Sequence, residues 1–141
     1  MRFPSVVQPV LDRHCTTCHD GAKTPGKAFD LRGLRLLAAP APADGDEGPQ
    51  HCVSDSFLAL QSRVKQVTVG GYAGTKLPLA PYAVGSAVSP LMKLLKEGHG
   101  KVDLPLADWQ ALAAWIDCNA PYYGSYDEIV VTPAERTAST P

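Results

Sequence analysis

The stretch Val10-Leu11-Asp12-Arg13-His14-Cys15-Thr16-Thr17-Cys18-His19 decides how the chain is read. It joins the end of an apolar stripe to two cysteines two residues apart, with a histidine directly after the second. Cys-x-x-Cys-His is the pattern of covalent c-type haem attachment. Two intervening residues let two sulfurs reach the two vinyl-bearing edges of one porphyrin, and the adjacent His19 is carried under the iron as an axial ligand. The motif therefore predicts one covalent haem c held by Cys15, Cys18 and His19. Such a ring also supplies apolar core that a small helical domain would otherwise lack.

Two other readings of the cysteines stay open at this point. One is a redox dithiol, and the other is half of a zinc site completed by His51 and Cys52. A thioredoxin-type dithiol calls for a strand-to-helix setting, and no such pattern surrounds Cys15.

Working outward, Phe3, Val6, Val7, Val10 and Leu11 recur at three- and four-residue steps and predict a helix over 3–13 with one buried face. Pro40 to Pro49 has no period and reads as a surface loop. A short helix is expected over 55–63, and Val67 to Val69 is the one stretch with strand character. Ser89-Pro90 is a helix start, because Ser can cap free N–H groups and Pro wastes no donor at the first position. That helix should reach Glu97, with Gly98 as its left-handed stop. Leu106, Trp109, Leu112, Ala113 and Ile116 predict a last helix closed by Asn119-Ala120-Pro121. The expected fold class is all-α, few helices with long loops, with residues 1–126 as one haem domain and 127–141 as a flexible tail or linker.

The chain has 141 residues, and 13 basic against 14 acidic side chains leave a formal charge of −1. One domain fits that length. No bulk field favours nucleic acid or an anionic membrane, and no apolar run is long enough for a membrane span or a signal peptide. An exported protein of this kind would carry a leader or a preceding domain ahead of Met1.

Four histidines, at positions 14, 19, 51 and 99, and one internal methionine, Met92, bound the choice of a second axial ligand. His14 is too close to the attachment segment to fold over the opposite face. His99 follows a helix end between Gly98 and Gly100, where a ring can approach a porphyrin without backbone clash. Met92 is the alternative, since Met opposite His is another common pairing. An open or Tyr-occupied sixth position is a third, with Tyr72, Tyr82, Tyr122 and Tyr123 as the available phenols. Cys52 and Cys118 remain after haem attachment. An even remainder in an exported protein suggests a disulfide between them, against two free thiols.

Val7 to Cys15, Phe29-Asp30-Leu31-Arg32-Gly33, Gly85-Ser86 with Ser89-Pro90-Leu91, Glu97-Gly98-His99, and Trp115-Ile116-Asp117 with Asn119 to Tyr126 together resemble one family. The chain is similar to the haem domain of hydrazine synthase alpha-subunit-related proteins and allied planctomycete-type cytochromes. The resemblance covers most of Val6 to Tyr126. It implies a cytochrome c-like fold with His on both sides of the iron, and so His99 opposite His19. The family often carries His where Gly100 stands. Similarity to cytochromes c also implies that the Pro25 carbonyl receives the His19 ring N–H.

Hydrazine chemistry is not implied, since it needs further haems and domains that one Cys-x-x-Cys-His cannot hold. The expected function is single-electron transfer in the periplasm or outside the cell, to a redox partner protein or a fused redox domain. Lys93, Lys96 and Lys101 near His99 are either a docking patch or a solvated helix face. The other functional class is a haem enzyme or gas-binding sensor with an open or weakly ligated sixth position.

Overall fold

The structure is a computed structural model that describes residues 1–22, 29–39, 51–67, 79–125 and 128–129. The N-terminal stripe forms two short helices rather than one: α1 (Phe3–Val6) and α2 (Gln8–His14), joined through Val7. Pro9 explains the break, because its ring nitrogen has no hydrogen to continue the ladder. Val7 stays in the right-handed region, so the stripe is preserved, and Phe3, Val7, Val10 and Leu11 are all buried.

Strand β1 (Leu36–Ala38) pairs antiparallel with β2 (Cys52–Ser54), with Leu36 opposite Ser54 and Ala38 opposite Cys52. This ribbon departs from the all-α expectation. Its residues lie on either side of the Pro40–Pro49 stretch, which with Thr68 and Val69 lies outside the described residues. Ser54 ends β2 and caps α3 (Asp55–Gln61), its Oγ accepting from Phe57 N at 3.3 Å.

Helix α4 (Pro90–Lys96) begins after Ser89, but Ser89 does not cap it through its side chain. The hydroxyl instead accepts from Lys65 N at 2.8 Å and donates to Gly85 O at 2.9 Å. A buried serine serves two neighbouring backbones here, while Pro90 leaves the helix start with fewer donors to satisfy. Gly98 takes the left-handed conformation expected of a helix stop, at φ 92°.

The last helix, α5 (Leu106–Asp117), turns most of its expected stripe to the core, with Leu106 left out and Trp115 added. Leu112, Trp115 and Ile116 are buried, Trp109 is half-buried and Leu106 is 71 % exposed. The large Trp115 side chain sets the orientation because it fills the centre of the core, and its Nε1 donates to Pro121 O at 2.9 Å. Phe3, Phe57 and Tyr122 meet there, with the Phe3 ring 5.5 Å from Trp115 and 5.2 Å from Phe57. Phe3 N donates to Tyr122 O, so the two ends of the described body are tied together. Glu128 also returns to this body, pairing with Arg2 at 2.7 Å and accepting from Gly124 N. The other residues of the expected 127–141 tail, apart from Ile129, lie outside the described part.

No helix among the described residues is long and apolar enough to cross a membrane.

Candidate functional site

Helix α2 ends at His14, and the attachment motif continues from it as tight turns. Cys15 N donates to Leu11 O, Cys18 N and His19 N both donate to Cys15 O, and Thr16 Oγ1 donates to Asp12 O. Two intervening residues thus bring both thiols and the imidazole round to one side of the chain. Cys15 is half-buried and Cys18 exposed. Burial, and then the nearby Cys18, push the Cys15 thiol up to about 11.

His19 is fixed from two directions. Its Nδ1–H donates to Phe29 O at 3.2 Å, and its own carbonyl accepts from Leu31 N at 3.0 Å. A backbone carbonyl on Nδ1 sets the tautomer and leaves Nε2 as the free lone pair, the arrangement a metal-bound imidazole requires. The Phe29 ring stands edge-on to the imidazole, with centroids 5.6 Å apart. Pro25, the expected source of this carbonyl, lies outside the described residues.

The Phe29–Leu31 segment is held by Gln8, whose Nε2 donates to Leu31 O at 2.9 Å while its Oε1 accepts from the buried Ser56 hydroxyl at 2.7 Å. Helix α2, the 29–33 segment and α3 therefore meet at one amide. Gln8 lies in the Val7 to Cys15 block, beside the Phe29 to Gly33 block, but nothing in the sequence shows that it joins the two.

His99 lies beyond α4 on a 3-10 turn, His99–Lys101, flanked by Gly98. Gly100 and Lys101 both have φ 60°. This turn faces the His19 ring: the two imidazole centroids are 5.9 Å apart and their planes 26° apart. Two imidazoles bound at about 2 Å on opposite sides of one metal ion would place their centroids roughly 6 Å apart. His99 is exposed, and among the described residues its ring nitrogens have no hydrogen-bond partner.

A cavity of about 540 Å³ contains Cys15, Cys18, His19 and His99 in its wall. That is within the roughly 300–1,000 Å³ of small-molecule and cofactor sites. Its lining is otherwise mostly aliphatic: Val10, Leu11 and Leu31 on the His19 side, Leu91, Leu94 and Leu95 from α4, and Leu112 from α5. Arg63 also lines it, with its guanidinium 5.7 Å from the Phe29 ring centroid. An apolar chamber of this size with two thiols and two facing imidazoles fits the chemistry of a covalently held porphyrin.

His14 lines the same cavity but is engaged elsewhere. Its Nε2 meets Asp108 Oδ2 at 2.8 Å, and Arg13 meets the other oxygen at 2.6 Å. His14 and then Arg13 hold the Asp108 carboxyl below the usual carboxylate range.

Several alternatives are placed away from the cavity. Met92 is 6 % exposed in the hydrophobic core and is not part of the cavity wall, because α4 turns Leu91, Leu94 and Leu95 toward the chamber. Tyr82 is 78 % exposed; neither it nor Tyr122 nor Tyr123 lines the cavity, and Tyr72 lies outside the described residues. Lys93, Lys96 and Lys101 are exposed, with Lys93 4.0 Å from Glu97.

His51 and Cys52 sit at the ribbon and are not part of the cavity wall. Among the described residues no group of three or more His, Cys, Asp and Glu could hold a metal ion. The expected Cys52–Cys118 disulfide is not formed: both are free thiols. Cys118 is the exposed cap residue of α5, while the C-terminal segment reaches Cys52 through Tyr123, whose hydroxyl donates to Cys52 O.

The chain matches no family model, no curated protein and no solved structure.

Proposed function

We propose that this chain is a monohaem c-type cytochrome domain that transfers single electrons, with a cytochrome c-like arrangement of helices around the covalent group. One observation carries the reading: the two thiols and the imidazole of the Cys-x-x-Cys-His motif share one apolar cavity with a second imidazole, 5.9 Å from the first. Cys15 and Cys18 would hold the haem covalently, and His19 and His99 would be the imidazoles that ligate its iron. When bound, haem supplies a one-electron iron couple whose potential is lower with two His ligands than with His and Met.

The chain's own residues have distinct parts. Phe29 O orients His19 and raises its basicity, which favours the oxidised state. The aliphatic lining from α2, α4 and α5 excludes water from the buried side of the cavity. Cys18, Leu94, His99 and Gly100 are wall residues that are also exposed, so the cavity reaches the surface there. Such an opening suits outer-sphere transfer to a protein that docks briefly, or to a fused redox domain. Covalent attachment of this kind goes with a location in the periplasm or outside the cell.

Expression in cells competent for cytochrome maturation tests this directly. A single haem that stays with the denatured chain, and a low-spin spectrum in the native protein, are the expected results. Colourless protein at apoprotein mass would overturn the assignment.

A further inference from the structure

The two imidazoles that face each other are supported very differently. His19 is held by Phe29 O on its ring, by Leu31 N on its carbonyl and by Cys15 O on its amide. The His99 ring faces His19 but has no hydrogen-bond partner among the described residues; the residue is exposed and sits on a three-residue 3-10 turn. Gly98 at φ 92° and Gly100 at φ 60° occur on either side of it, and Lys101 holds φ 60° without being glycine. A lysine in that region is disfavoured, so the turn carries strain that a different backbone arrangement would relieve.

The walls on this side of the cavity are Leu91, Leu94, Leu95, Val102 and Leu104. These side chains offer no hydrogen-bond donor, the nearest one in the wall being Arg63, whose backbone carbonyl accepts from Leu91 N; carbon monoxide and nitric oxide can bind iron without such a donor, whereas a bound anion or dioxygen gains most from one.

We propose that His99 is a releasable ligand, and that its departure opens the metal to a neutral diatomic molecule such as carbon monoxide or nitric oxide. This inference rests on the haem assignment above. In the exchange, the bond from the His99 imidazole to the metal breaks and one bond to the incoming molecule forms. With carbon monoxide no electron or proton changes hands. His19 stays bound because its ring and backbone are pinned independently of α4.

The test uses the reduced holoprotein mixed rapidly with carbon monoxide and followed at the Soret band. The wild type is expected to bind, with a rate that rises and then levels off as carbon monoxide increases, because release of His99 becomes limiting. His99→Ala should bind faster and linearly in carbon monoxide. Gly98→Ala, whose new methyl group meets nothing within 4 Å, changes only the backbone preference and should raise the plateau. Lys101→Gly should lower it, each by roughly two- to tenfold for a strain change on the usual scale.

Wild-type protein that keeps its low-spin haem but binds no carbon monoxide, while His99→Ala does, would overturn releasability and leave the haem assignment standing. A wild-type rate linear throughout, equal to that of His99→Ala, would show that His99 is not bound. Protein without haem would instead sink the assignment on which the inference rests.

Discussion

His19 and His99 come from distant parts of the chain and face each other with ring centroids 5.9 Å apart. If this pair grips one iron, His99→Ala abolishes the low-spin optical and EPR signature while haem stays attached through Cys15 and Cys18. Met92→Ala should leave the spectrum unchanged. Because Met92 is a core side chain at 6 % exposure, its truncation should instead cost about 2–5 kcal/mol of stability. A spectrum altered by Met92→Ala and untouched by His99→Ala would reverse the ligand assignment.

The gathering of Cys15, Cys18 and His19 was legible in the sequence because it depends on local spacing. Cys15, Cys18 and His19 are adjacent, and one turn of backbone suffices to gather them. Gly98 as a helix stop was legible for the same reason. Phe29 as the partner of His19, and Gln8 as the residue that holds the 29–33 segment, were not, since each depends on a contact between distant segments. The face of α5 was misread at Leu106 because an amphipathic pattern ranks residues by hydropathy, whereas packing around Trp115 ranks them by volume and shape. Ser89 was misread because a helix-start serine has other acceptors and donors within reach once Lys65 and Gly85 are brought beside it. The β1–β2 ribbon escaped because three-residue strands are too short to show an alternation.

Asp108 ties α5 to the end of α2 through His14 and Arg13, and those contacts lower its pKa in the folded state. A carboxyl whose folded pKa is depressed stabilises the fold fully above its unfolded pKa, near 3.9, and loses that contribution as pH falls through the lower folded value. Asp108→Asn should therefore be less stable than wild type at neutral pH, and the difference should shrink below about pH 4. Denaturant titrations at neutral and acidic pH measure it. A gap that is constant with pH would mean that the effect is steric.

Thiol counting separates attachment from pairing. In the denatured holoprotein two thiols, Cys52 and Cys118, should react with a disulfide reagent, because Cys15 and Cys18 would be thioethers and the other two are free. Apoprotein made without the maturation machinery should show four. In the folded apoprotein Cys15 should label last at mildly alkaline pH, since burial raises its thiol to about 11 and little thiolate is present. Zero reactive thiols in the holoprotein would restore the Cys52–Cys118 bridge.

Gly33 controls the segment that positions His19. Its φ is 66°, and a β-carbon there would lie 2.8 Å from Gln8 Oε1 and 2.9 Å from Ser56 Oγ, which are hydrogen-bonded to each other. Gly33→Ala must therefore displace a half-buried amide or a buried hydroxyl as well as accept a left-handed backbone. The expected loss is about 2–5 kcal/mol, combining roughly 1–2 for the conformation with 1–3 for the disturbed hydrogen bonds. Because Gln8 also holds Leu31 O, and Leu31 N holds His19 O, the damage should reach His19. In the holoprotein this would be read as a shifted reduction potential or a broadened low-spin EPR signal accompanying the stability loss. Gln8→Met supplies the control: it keeps about the size of the side chain but removes the donor to Leu31 O and to Asp12 Oδ1 without adding a charge, and should reproduce the spectroscopic change without adding a β-carbon at position 33. An unperturbed spectrum in both variants would show that Phe29 O alone orients His19.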